Sequence, residues 1–126
     1  MSNTKQKILI IDDSPNILRA YKSILGRDYS LELLSGDKIV HGRNSINSFD
    51  LLLMEIHFKD IGIHKLLSLI RGEDPTIPIV VITGYSEELK DIDFRPYNIT
   101  HFFVKPPDIN ELRVTVKSLL NQGEER

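Results

Sequence analysis

The chain contains no cysteine. That excludes disulfides, thiolate nucleophiles and cysteine-ligated metal centres, and leaves the redox compartment unread. Long apolar runs are also missing: no stretch approaches the roughly 20 residues that span a bilayer. Met1–Lys7 is polar, without the apolar centre of a signal peptide. A formal net charge of −2 gives no reason to expect nucleic acid or an anionic membrane as a partner. Internal repeats and low-complexity segments are absent. What is present is ordinary for a globular domain: 126 residues, 40% hydrophobic and 27% charged, enough for one core. The expectation is a single cytoplasmic domain over residues 1–126, with its core at about 7–120 and a polar tail, Asn121–Arg126.

Short apolar runs alternate with amphipathic stretches, the signature of βα units around a parallel sheet. Strands are expected near Ile8–Ile11, Tyr29–Leu34, Leu51–Met54, Ile79–Ile82 and Thr100–Val104. Tyr29–Leu34 alternates as an edge strand does, whereas Leu51–Met54 is apolar on consecutive residues and should be covered on both faces. Ser14-Pro15 is expected to cap and open a first helix carrying Ile17, Leu18, Tyr21, Ile24 and Leu25, ended by Gly26. Ser35–Ser48 is expected as a weak helix and Ile61–Arg71 as a third, with Leu66, Leu67 and Ile70 inward. Ser86-Glu87-Glu88 suggests a short fourth helix that Pro96 stops or bends. Asp108 is expected to cap the last helix, with Ile109, Leu112, Val116, Leu119 and Leu120 on its apolar stripe.

The residues that follow the strands carry the chemistry. Asp12 and Asp13 follow the first strand, Glu55 the third, Thr83 the fourth and Lys105 the fifth. In a parallel sheet these ends share one edge, where ligands of open α/β folds bind. Convergent charges of this kind mark sites more often than chance. Each residue also has a plainer reading. An acidic pair favours a helix N-terminus, a strand-end Thr83 satisfies backbone groups, and Phe102 packs as core or rim. His41, His57, His64 and His101 show no ligand spacing. Glu87, Glu88, Lys90, Asp91 and Asp93 suit a solvated face.

Taken together, Ile11-Asp12-Asp13-Ser14-Pro15, Asp50-Leu51-Leu52-Leu53-Met54-Glu55, Ile82-Thr83-Gly84-Tyr85 and Phe102-Phe103-Val104-Lys105-Pro106 resemble a receiver domain. This is the phosphorylatable module of bacterial two-component response regulators, and the resemblance runs from Ile8 to about Leu120. It implies a doubly wound, flavodoxin-like (βα)5 fold with five parallel strands. It also implies Mg2+ as cofactor, held by Asp12, Asp13, the residue at position 55 and the main-chain carbonyl of His57. Lys105 would be the phosphoryl-contacting lysine, Thr83 the hydroxyl that reorients towards the phosphoryl group and Phe102 the switching aromatic. Lys105-Pro106 would match a peptide bond often cis in the family.

The chain departs from the pattern at the acceptor itself, where Glu55 replaces aspartate. Lys59 stands where a proline is usual, and Gly62-Ile63 replaces an Asp-Gly turn. One extra methylene displaces a carboxylate by up to roughly 1.5 Å, and about 1 Å of misplacement costs on the order of a hundredfold in rate. The expected function is therefore a pseudo-receiver, not an enzyme. It would be unphosphorylated at Glu55, which would instead reach Lys105 or Thr83. The module would act on a signalling protein, a histidine kinase or a downstream effector, through its last two helices and last strand. The alternatives are a Mg2+-dependent receiver that accepts phosphate from a histidine kinase, and a small phosphate-handling α/β enzyme with Asp12 as nucleophile. The last lacks a glycine-rich loop or cap segment.

Overall fold

The computed structural model describes residues 5–41 and 46–124. The start of the polar N-terminus, residues 42–45 of the expected weak helix, the His41 side chain and the end of the polar tail lie outside the described residues.

Five parallel strands form one sheet: β1 (Lys7–Ile11), β2 (Ser30–Leu34), β3 (Leu51–Met54), β4 (Ile79–Thr83) and β5 (His101–Val104). Their spatial order is β2-β1-β3-β4-β5, the doubly wound order of the flavodoxin-like fold. The central strands are buried on both faces because their residues are apolar at consecutive positions. Alternate side chains then feed two separate cores. Leu9, Ile11, Leu52, Met54, Ile79 and Val81 pack with Leu66, Leu67 and Ile70 of α3 (Ile63–Glu73). On the opposite face Ile8, Ile10, Leu51, Leu53, Val80 and Ile82 meet Tyr21 and Leu25 of α1 (Ile17–Leu25) and Leu112, Val116 and Leu120 of α4 (Ile109–Glu124). Each fully buried aliphatic side chain contributes about 1.5–3 kcal/mol relative to exposure.

Three expectations change, beyond the shift of α3 by two residues and the run of α4 on to Glu124 through the start of the expected tail. Helix α1 begins at Ile17, after Asn16, and Ser14 precedes it in a turn in which the Ile17 N–H donates to the Ser14 carbonyl at 3.3 Å. Ser14 is held there because its own N–H is captured by the Asp12 carboxylate at 2.8 Å. The weak-helix stretch contains a short α2 (Gly36–His41) and a separate 3-10 turn, Ile46–Ser48. The fourth helix is replaced by two 3-10 turns, Ser86–Asp91 and Arg95–Tyr97. Between them Ile92 is extended, and Asn98 closes the second turn in the left-handed region at φ 54°, a conformation asparagine tolerates well.

Arg71, from the end of α3, holds this irregular segment in place. Its guanidinium donates to the carbonyls of Tyr97 (2.7 Å), Asn98 (3.1 Å), Asp74 (3.2 Å) and Ile77 (2.8 Å). Gly26 closes α1, Asp108 accepts the Glu111 N–H at 2.9 Å at the start of α4, and Lys105-Pro106 is cis, all as expected.

Candidate functional site

Sheet register brings the chemistry into line. Ile11 pairs with Met54 and Thr83 with Val104, so Asp12 lies beside Glu55 and Lys105 one step beyond Thr83. The ladder continues one residue past the strands. Glu55 N–H donates to the Ile11 carbonyl (3.0 Å), Asp12 N–H to Leu34 (3.2 Å) and Lys105 N–H to Thr83 (2.8 Å). These backbone bonds fix where the side chains start. Asp12, Glu55 and Thr83 are buried, at 6%, 4% and 0% exposure.

Glu55 is the hub. Its Oε1 takes the Lys105 ammonium at 3.1 Å and the Gly84 N–H at 3.2 Å. Its Oε2 takes the N–H of the next residue, Ile56, at 2.7 Å, and Thr83 lies close enough to lower the pKa of the carboxyl. The Thr83 oxygen in turn accepts the Tyr85 N–H at 2.8 Å. Burial pushes the Glu55 carboxyl up, but Thr83, Ile56, Lys105 and Gly84 outweigh it and hold the group below its usual range. Lys105 also pairs with Asp12 Oδ2 at 2.8 Å. Burial disfavours its charge, yet the hydrogen bonds it donates to Asp12 and Glu55 prevail and raise its pKa. The expected pairing of Glu55 with Lys105 is therefore present, with Thr83 beside it.

Asp13 does not join this hub. Its Oδ1 accepts the Gly36 N–H at 3.2 Å and its Oδ2 the Lys59 N–H at 3.3 Å, so it ties the start of α2 to the loop after β3. His57, expected to lend a main-chain carbonyl, puts its ring to use. It stacks on Tyr85 with centroids 4.3 Å apart and reaches Glu88 at 3.2 Å. The clasp joins the loop after Glu55 to the loop after Thr83. Phe102 lies at the rim, 46% exposed, edge-on to Phe94 at 5.0 Å. His64 contacts the Tyr97 hydroxyl, and His101 is exposed on β5.

Several participants were not foreseen from sequence. The Ile56 and Gly84 amides leave no side-chain signal. Tyr21 reads from sequence only as part of the apolar stripe of α1. Its phenol is pushed well above the ordinary value by burial first, then by the negative fields of Asp12 and Glu55, so it stays neutral beside the site.

A divalent cation fits this donor set poorly. Each carboxylate oxygen of Asp12, Asp13 and Glu55 already accepts a hydrogen bond from the chain. Among the described residues no three His, Cys, Asp or Glu side chains gather as ligands. Mg2+ demands near-octahedral oxygens at about 2.0–2.1 Å, and the position shared by Asp12 and Glu55 belongs to the Lys105 ammonium.

A profile of the response regulator receiver domain matches residues 8–117. The chain belongs to that family. It is 27% identical over 117 residues to the response regulator ArlR of Staphylococcus saprophyticus, covering 92% of this chain and 53% of ArlR. It is 29% identical over 119 residues to PilR of Pseudomonas aeruginosa, covering 93% of this chain and 26% of PilR. The chain thus spans about half of the first relative and a quarter of the second. Among solved structures, a CheY-like receiver domain protein of Methanospirillum hungatei superposes with a TM-score of 0.77 at 24% identity, over 97% of this chain and 98% of that one. The Thermotoga maritima response regulator TrrA, solved in complex with Mg(2+)-BeF, gives 0.74 at 26% identity over 91% and 99%. No helix of the described residues is long and apolar enough to cross a membrane.

Proposed function

We propose that this receiver signals without being phosphorylated at Glu55 and acts by binding a protein partner, a histidine kinase or a downstream effector. The observation that carries the reading is the set of donors on the Glu55 carboxylate: the Lys105 ammonium and the Gly84 and Ile56 amides. An incoming phosphoryl group would need Lys105, and the glutamate side chain, one carbon longer than aspartate, already engages it. Attack by this carboxylate would also break hydrogen bonds that stabilise the ground state, which raises the barrier. In this reading the chain is not an enzyme and works in the cytoplasm. Its partner face comprises β5, α4 and the two 3-10 turns. The exposed apolar side chains Phe102, Val104, Ile109 and Val114 support that choice.

Incubation with Mg2+ and acetyl phosphate, followed by intact-mass measurement, tests the proposal. The expected result is no acid-stable, base-labile phosphoryl adduct on the unmodified chain. An adduct that disappears in Glu55→Gln would establish the alternative, a working phosphoacceptor.

A further inference from the structure

We infer that Lys105 is the resident cation of this site, an internal ammonium that takes the place of a divalent metal, so that the module needs no metal. Its Nζ lies 2.8 Å from Asp12 Oδ2 and 3.1 Å from Glu55 Oε1, bridging the two buried carboxylates. An ion bound by both oxygens would have to sit within about 2.1 Å of each, in the space between them that the ammonium now serves. Two cations do not share that space. The two carboxylates would repel each other without a positive neighbour, and Lys105 supplies that charge from within the chain.

The remaining acceptors are equally committed. Asp12 Oδ1 holds the Ser14 N–H at 2.8 Å and Glu55 Oε2 the Ile56 N–H at 2.7 Å. Asp13 is occupied by the amides of Gly36 and Lys59. Turning Asp13 inward would leave two backbone donors without partners and release the tie between α2 and the loop after β3. A metal would therefore trade satisfied charge-assisted bonds for new ones while incurring the dehydration cost of Mg2+, which dehydrates reluctantly. This inference rests on the contacts of the three carboxylates and on the reading that Glu55 is not a Mg2+-dependent phosphoacceptor.

Mn2+ serves as the probe, read by paramagnetic broadening of backbone amides on the intact chain. The unmodified protein is expected to show no selective broadening at Asp12, Ile56 and Gly84. Lys105→Met, which frees Asp12 Oδ2 and Glu55 Oε1, should gain selective broadening there, with affinity tighter by about tenfold or more once the opposing charge is gone. Selective broadening of equal affinity in the unmodified protein overturns the inference, as does its absence in a folded Lys105→Met. A second measurement needs no variant. The melting temperature of the unmodified protein should not change on adding Mg2+, and a concentration-dependent rise would overturn the inference.

Discussion

Replacing Glu55 by glutamine keeps the shape of the hub and removes its charge, and the consequence depends on pH in a way the contacts dictate. Glutamine offers one accepting oxygen where the glutamate offers two. If that oxygen faces Lys105 and Gly84, the amide NH2 is driven against the Ile56 N–H; the opposite flip sets it against the ammonium. Either way one buried donor is orphaned, at about 1–3 kcal/mol. Lys105 keeps Asp12 at 2.8 Å, so its charge is not stranded, and the full 3–5 kcal/mol typical of a broken buried pair is not expected. Relief of glutamate desolvation offsets part of the loss. The net expectation at neutral pH is a destabilisation of about 2 kcal/mol, or about 8 °C in melting temperature for a domain of this size.

The sign of the pH dependence follows from linkage. The Glu55 carboxyl is held below its ordinary value of 4.5 in the folded protein. Its contribution is therefore fully present above that value and is lost as pH falls through the folded pKa. The unmodified protein should lose stability more steeply on acidification than Glu55→Gln, so that the two curves converge under acid. Urea unfolding at a series of pH values measures this. A gap that stays constant down to strongly acidic pH, or a variant more stable at neutral pH, would refute the reasoning.

Two further perturbations test the scaffold around the site. Arg71→Met strands the carbonyls of Tyr97, Asn98, Asp74 and Ile77 and should cost about 3 kcal/mol; amide hydrogen exchange should show residues 93–99 losing protection first. A double-mutant cycle of Phe94→Ala and Phe102→Ala, read by thermal unfolding, should return a coupling of about 1 kcal/mol for their edge-on contact, and a zero coupling would mean that Phe102 is not seated on Phe94.

The sheet was legible because its residues leave no choice. Strands such as Leu51–Met54 and Ile79–Thr83 are apolar at every position or nearly so, too short for helices, and bounded by polar or proline residues. The strand-end residues Asp12, Glu55, Thr83 and Lys105 followed from that alternation, and the structure gathers all four. Asp13 was harder, since it is claimed by groups distant in sequence, the Gly36 and Lys59 amides, and the engagement of the His57 ring by Tyr85 and Glu88 likewise joins residues far apart in the chain. Ser14 looked like a helix cap because the local pattern allows it, but Asn16 takes the cap position and Ser14 sits in the turn before it.

The segment after β4 is not a helix because of the spacing of its apolar residues. Leu89, Ile92, Phe94, Tyr97 and Ile99 all face one core, at spacings of three and two, which suit 3-10 turns separated by extended residues better than a 3.6-residue period. Asp93 strengthens the break by accepting both the N–H of Arg95 (3.1 Å) and its guanidinium (2.9 Å). The charged residues expected on a solvated face do lie there, with Lys90 and Glu87 3.5 Å apart at the surface, while Glu88 has the additional task of holding His57.

Glu55 is a fixed anion held by Lys105 and two backbone amides, and its side-chain carboxyl carbon, followed by NMR as the pH is lowered, reports that directly. The midpoint should lie below 4.5 and move upward in Lys105→Met. A midpoint at or above the ordinary glutamate value in the unmodified protein, unmoved by Lys105→Met, would contradict it.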